Sequence, residues 1–203
     1  MRGLTGRDQA ERFMRALGNA VTNNTRVYLT GGASAVLLEW RDSTIDIDLT
    51  FVPEGDEVFR AIARLKDELG INVELASPAH FIPSLPDWDT RSTFIAQEGR
   101  VAFYHYDFYS QAMAKIERGH AQDRVDVAAM LARGLVEPGV VSSFGQRSRD
   151  IKIVPARESG PCPFTLDDYY LSVDFEGHRS KAIAEMKMAN AKPDVSRSRT
   201  FSD

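Results

Sequence analysis

The chain has 203 residues, of which 43% are hydrophobic and 27% charged, with a formal net charge of −4. That composition excludes a collagenous, mostly disordered or disulfide-framework protein, and the length allows one large domain, or one domain with an appendage. Its single cysteine, Cys162, excludes an intramolecular disulfide and a multi-cysteine zinc site, and the acidic balance gives no sign of a stable nucleic-acid complex. No apolar run is long enough to span a membrane, and residues 1–11 are polar with no signal-peptide core, so the expected compartment is the cytoplasm.

In chain order, residues 8–21 put Ala10, Phe13, Met14, Leu17, Ala20 and Val21 on one helical stripe. Residues 26–30 read as a strand with Val27 and Leu29 on one face; Gly31-Gly32 reads as a tight turn, and residues 33–40 as a helix. Residues 44–51 alternate cleanly, with Ile45, Ile47, Leu49 and Phe51 expected inward and Thr44, Asp46, Asp48 and Thr50 outward. Residues 56–69 form an amphipathic pattern with Val58, Phe59, Ile62, Ala63 and Leu65 inward and Gly70 as C-cap. Residues 71–75 read as another strand, with Asn72 and Glu74 opposite its apolar face. Three prolines mark residues 76–88 as loop.

Residues 92–97 and 101–106 then form a predicted β-hairpin, Asp107 an N-cap for a helix reaching Gly119, and residues 122–133 a second helix ending at Gly134. The neighbouring aromatics, among them Phe103, Tyr104 and Tyr106, read as core, and His105 as packing or surface. The expected fold class is α+β: a small mixed β-sheet flanked by helices over residues 1–135. A partly helical extension follows over 136–190, its helical signal in 165–190, and then a disordered tail over 191–203.

Three features carry chemistry. At Gly31-Gly32-Ala33-Ser34 a strand hands over to a helix, where glycines let a ligand approach the backbone and Ser34 adds a hydroxyl; the plainer reading is a tight turn without a ligand. Asp46 and Asp48 lie at i and i+2 on one strand face, roughly 6.6 Å apart at Cα, where carboxylates suit a hard cation such as Mg²⁺; the alternative is the polar side of an edge strand. Glu74 completes a three-carboxylate cluster if its strand neighbours theirs, and is otherwise an exposed strand residue. Downstream, Lys115, Arg118, Asp123 and Asp126 follow a Lys-x-x-Arg … Asp-x-x-Asp pattern. Lys115 and Arg118, at i and i+3, can meet phosphates together, or form a solvated charged stripe.

Taken together, Leu29-Thr30-Gly31-Gly32-Ala33-Ser34 and Thr44-Ile45-Asp46-Ile47-Asp48-Leu49 resemble the DNA polymerase beta-like nucleotidyltransferase superfamily. They look most like its bacterial abortive-infection and toxin-type members. The resemblance implies an NTP seated on Gly31, Gly32 and Ser34, with Lys115, Arg118 and Asp126 flanking the nucleotide. It further implies Mg²⁺ on Asp46 and Asp48, with Glu74 as third ligand or general base. The acceptor would be a hydroxyl of a protein, a tRNA or a small molecule. A toxin-type member implies a cognate antitoxin as partner; a non-catalytic member would instead be a binding protein of the same fold.

Overall fold

In the computed structural model, the structure describes residues 3–141 and the backbone of two strands at 151–155 and 169–173. The elements run α1 (Arg7–Ala20), β1 (Thr25–Thr30), α2 (Gly31–Leu37), β2 (Asp46–Val52), α3 (Asp56–Glu68), β3 (Asn72–Leu75), α4 (Trp88–Arg91), β4 (Thr93–Glu98), β5 (Val101–His105), α5 (Phe108–Arg118) and α6 (Ala121–Ala132). A 3-10 turn at Pro78–His80 interrupts the proline-rich connection. The sheet is mixed, in the order β3-β2-β1-β5-β4: β1 is antiparallel to β2 and parallel to β5, β2 is parallel to β3, and β4 is antiparallel to β5. This is the α+β architecture the periodicities predict.

The alternating strands bury one face of the sheet. Val27, Leu29, Ile47, Leu49 and Phe103 are at most 1% exposed, and Phe13 and Leu17 of α1 and Val58, Ile62 and Leu65 of α3 pack on them. Burying one such large apolar side chain contributes about 1.5–3 kcal/mol, which holds the two helices on this face. Residues two apart on a strand share a face, so Asp46 and Asp48 of β2, Asn72 and Glu74 of β3, and Tyr28 and Thr30 of β1 occupy the opposite one. On that side α5 and α6 add two smaller cores, around Ile82, Leu85, Met113 and Ala114, and around Phe108, Ala112, Val127 and Met130.

Several local expectations are corrected. Gly31 makes the expected sharp turn, but α2 starts at Gly31 rather than at Ala33. The strand starts at Asp46, because Thr44 pairs with Thr5 in an isolated bridge (Thr5 N to Thr44 O, 2.7 Å; Thr44 N to Thr5 O, 2.9 Å). Ile45 is therefore 68% exposed rather than inward. On α3 the inward positions are Val58, Ala61, Ile62 and Leu65; Ala63 is exposed, and Phe59 rests edge-on against Phe51. Asp107 caps α5 as expected, accepting from the amides of Tyr109 and Ser110 and clamped by Arg91. Within the C-terminal extension, Tyr169–Val173 is a strand paired antiparallel with Ile151–Pro155, not helix. β-branched and aromatic residues dominate both segments and suit a pleated ribbon. The rest of the extension and the tail lie outside the described residues.

Candidate active site

The parallel register of β2 and β3 sets Asp46 beside Asn72 and Asp48 beside Glu74. The Asn72 amide donates to Asp46 Oδ1 and, at 3.4 Å, to Glu74 Oε1. The three predicted carboxylates thus share one face at the β2–β3 edge. Among the described residues, however, no three His, Cys, Asp or Glu side chains close into a metal-ligating set. Burial, reinforced by the charges of Asp46 and Glu74, pushes the Asp48 carboxyl up to about 7; Arg118 and Lys115 pull the other way, less strongly. All-oxygen donors carrying this much unrelieved negative charge fit a hard divalent cation such as Mg²⁺.

This has a measurable consequence. The folded carboxyl holds its proton more tightly than the unfolded one, so its stabilisation is complete below about pH 4 and is lost as pH rises through about 7. Without divalent ions, Asp48→Asn, which mimics the protonated form, is expected to melt ~3 °C or more above wild type at pH 8, the gap closing by pH 4. Thermal melts in chelator check this; a mutant no more stable at pH 8 would place Asp48 in a relaxed, solvated setting.

Gly31 forms the corner between β1 and α2 with φ +57°. A Cβ there would lie 2.7 Å from Asp48 Oδ2, so conformation and space both call for glycine. The Gly31 N–H donates to Gln111 Oε1 at 3.0 Å, and Gln111 Nε2 donates to the Tyr106 carbonyl at 2.7 Å. Nothing in the sequence spacing singles out Gln111, which is 1% exposed. Gly32 faces elsewhere: a Cβ on it would meet Thr44 Oγ1 at 2.0 Å. Gly32→Ala is expected to destabilise the fold by about 1–3 kcal/mol through this overpacking. Urea denaturation reads the loss, and an unchanged midpoint would show that Thr44 swings aside freely.

Ser34 is fully buried, with its hydroxyl turned to the sheet. It donates to the Leu29 carbonyl at 3.1 Å and sits 3.0 Å from His105 Nδ1. Because the hydroxyl hydrogen is committed to Leu29, Nδ1 is the protonated nitrogen of a neutral ring. Burial pushes the His105 pKa down to about 4; of the two readings, packing or surface, the structure selects packing.

Helices α5 and α6 bring the cations. Lys115 is 4% exposed, and its Nζ lies 2.5 Å from Asp126 Oδ2 and 3.2 Å from Asp123 Oδ1. Arg118 holds Asp123 through two nitrogens, at 2.6 and 3.2 Å, and stacks on the Phe81 ring with its guanidinium carbon 4.8 Å from the centroid. Arg118 and Lys115 draw the Asp123 carboxyl down against the desolvation that raises it. Asp126 is fully buried and, besides Lys115, accepts from Trp40 Nε1 (3.2 Å) and from Arg41 Nε (2.9 Å) and Nη2 (2.5 Å). Asp123 and Asp126 are thus shared among Lys115, Arg118 and Arg41, of which Lys115 and Arg118 also act on Asp48.

A cleft of about 140 Å³ lies between these elements. Its walls are Thr30 and Gly31, Asp48 and Glu74, then Ala76, Ser77, Pro78 and Phe81, with Gln111, Ala114, Lys115 and Arg118 opposite. Of the predicted site residues, Gly31, Asp48, Glu74, Lys115 and Arg118 therefore meet in one cleft. Asp46 lies further along β2. Gly32, Ser34 and Asp126 are not on its walls: the first packs against Thr44, the second bonds to β1 and β5, and the third is saturated by its own donors. The proline-rich segment, read only as loop, supplies one wall, because Ile82 and Leu85 bury against Met113 and Ala114 and hold it over α5.

A five-stranded mixed sheet with a glycine corner opening on outward carboxylates defines an α+β, nucleotidyltransferase-like fold. Residues 10–149 match the family described as a nucleotidyltransferase of unknown function (DUF6036), and the chain belongs to that family. No curated protein and no solved structure matches it. Among the described residues, no helix is long and apolar enough to cross a membrane.

Proposed function

We propose that the protein is a Mg²⁺-dependent nucleotidyltransferase moving a nucleoside monophosphate from an NTP to an acceptor hydroxyl of a protein, a tRNA or a small molecule. The observation that carries this reading is the cleft itself: Asp48 and Glu74, neighbours on adjacent strands, face Lys115 and Arg118 across the Gly31 corner. Asp48 and Glu74 in the cleft would hold the metal, with Asp46 joining from the same strand face once Asn72 releases it; when bound, the metal supplies Lewis acidity and charge neutralisation to an in-line displacement. Gly31 leaves room for phosphate to approach the backbone. Lys115 and Arg118, fixed by Asp123 and Asp126, present positive charge to the phosphates without needing to reorganise. Glu74 accepts the proton of the acceptor hydroxyl as its oxygen bonds to the α-phosphorus; the bond to the bridging oxygen breaks and pyrophosphate leaves with the electron pair.

The motif likeness to abortive-infection and toxin-type enzymes extends the proposal to a toxin held in check by a cognate antitoxin, acting in the cytoplasm. Purified protein incubated with each α-labelled NTP, Mg²⁺ and cell extract tests the reading. Label transferred to a protein or RNA with pyrophosphate release supports it; no transfer with any NTP counts against it. One observation favours a second reading, a nucleotide-binding protein without turnover: Lys115 and Arg118 already have acidic partners, and the Gly31 N–H is already bonded to Gln111. NTP and metal binding with no pyrophosphate release would select that alternative.

A further inference from the structure

We infer that Thr30 supplies the substrate-binding hydroxyl of this cleft, donating to an oxygen of the nucleotide's phosphate chain; the inference rests on the nucleotidyltransferase reading above. Thr30 is the last residue of β1 and the N-cap of α2. A threonine at an N-cap ordinarily bonds its side-chain oxygen to an N–H of the first helical turn. Here no side-chain cap bond forms, and among the described residues the hydroxyl has no hydrogen-bond partner. The residue is only 7% exposed, so this is not a hydroxyl solvated on an open surface. Nor is it sealed in: the enclosed, unbonded side-chain atom among the described residues is Thr5 Oγ1, whereas Thr30 lines the cleft.

Antiparallel pairing of Thr30 with Asp48 places the two side chains next to each other on one sheet face. Ionised carboxylates only accept hydrogen bonds, so beside Asp48 and Glu74 the Thr30 hydroxyl adds a neutral donor on the sheet side of the cleft, facing the cations of Lys115 and Arg118. A ligand with several anionic oxygens, spanning from the carboxylate side to the cationic side, uses all three. The sequence pattern points to Ser34 for this task. The structure commits the Ser34 hydroxyl to Leu29 O and leaves that of Thr30 free in the cleft.

Thr30→Val and Thr30→Ser separate the hydroxyl from the shape, since valine keeps the β-branch and serine the donor. The probes are inorganic pyrophosphate and each of the four NTPs, with Mg²⁺, by calorimetry beside a thermal melt. The expected result is wild-type-like binding by Thr30→Ser and binding about tenfold weaker or more by Thr30→Val, with unchanged melts. Wild-type affinity in Thr30→Val would overturn the inference and leave the nucleotidyltransferase reading intact. Weakening that tracks a lowered melt and is not restored by serine would also overturn it, as the mark of a structural threonine. A wild-type protein that binds neither pyrophosphate nor any NTP would remove the functional reading and Thr30's role together.

Discussion

Asp48→Asn and Asp46→Asn are each expected to lower nucleotidyl transfer by at least about a hundredfold while the domain stays folded. The amide keeps the shape of the side chain but removes the charge that would hold a divalent cation, and Lewis-acid stabilisation of the transferring phosphoryl is worth several kcal/mol. The two variants differ in a second readout. Asp48 sits inside the cleft against Gly31, whereas Asp46 lies further along β2 and is engaged by Asn72. Loss of Mg²⁺ affinity by calorimetry should therefore be greater for Asp48→Asn. Turnover within twofold of wild type in either variant, with a normal melt, would remove that carboxylate from the metal site.

Asp126→Ala carries the largest expected effect on stability, about 3–5 kcal/mol, because it strips Lys115 and Arg41 of a buried partner. Read from sequence, Lys115 was a phosphate ligand or one residue of a solvated stripe, and for a solvated stripe its loss would be nearly neutral. At 4% exposure with two carboxylates in contact it is not a surface lysine, and Lys115→Ala should likewise destabilise, by leaving Asp126 and Asp123 short of a cation. Urea denaturation of both single variants and the double variant measures the coupling. A double variant whose loss equals the sum of the two would show that the pair is not a unit.

Strand alternation made the carboxylate face legible before any coordinates, since Asp46 and Asp48 cannot share a face with Ile47 and Leu49. The helices on the core side followed from their apolar stripes. The sequence could not show which polar groups were already committed. Gln111 meets Gly31 and Arg41 meets Asp126 across 80 and 85 residues of chain, and local periodicity carries no record of such contacts. Ser34 failed for the same reason: its hydroxyl lies one helical turn from the glycines, but the Leu29 carbonyl and His105 claim it. Ile45 misled because the alternation runs on past the true start of β2, where Thr5 rather than β1 is the partner.

The side chain of Gln111, on the wall of the cleft, has one end on the Gly31 amide and the other on the Tyr106 carbonyl just ahead of α5. It acts as a strut of fixed length. Drawing α5 away from the corner would cost the Gly31–Gln111 hydrogen bond. The glycine corner beside Asp48 and the helix that carries Lys115 and Arg118 are thus tied to each other through this one buried side chain, and whatever shifts the start of α5 is felt at Gly31.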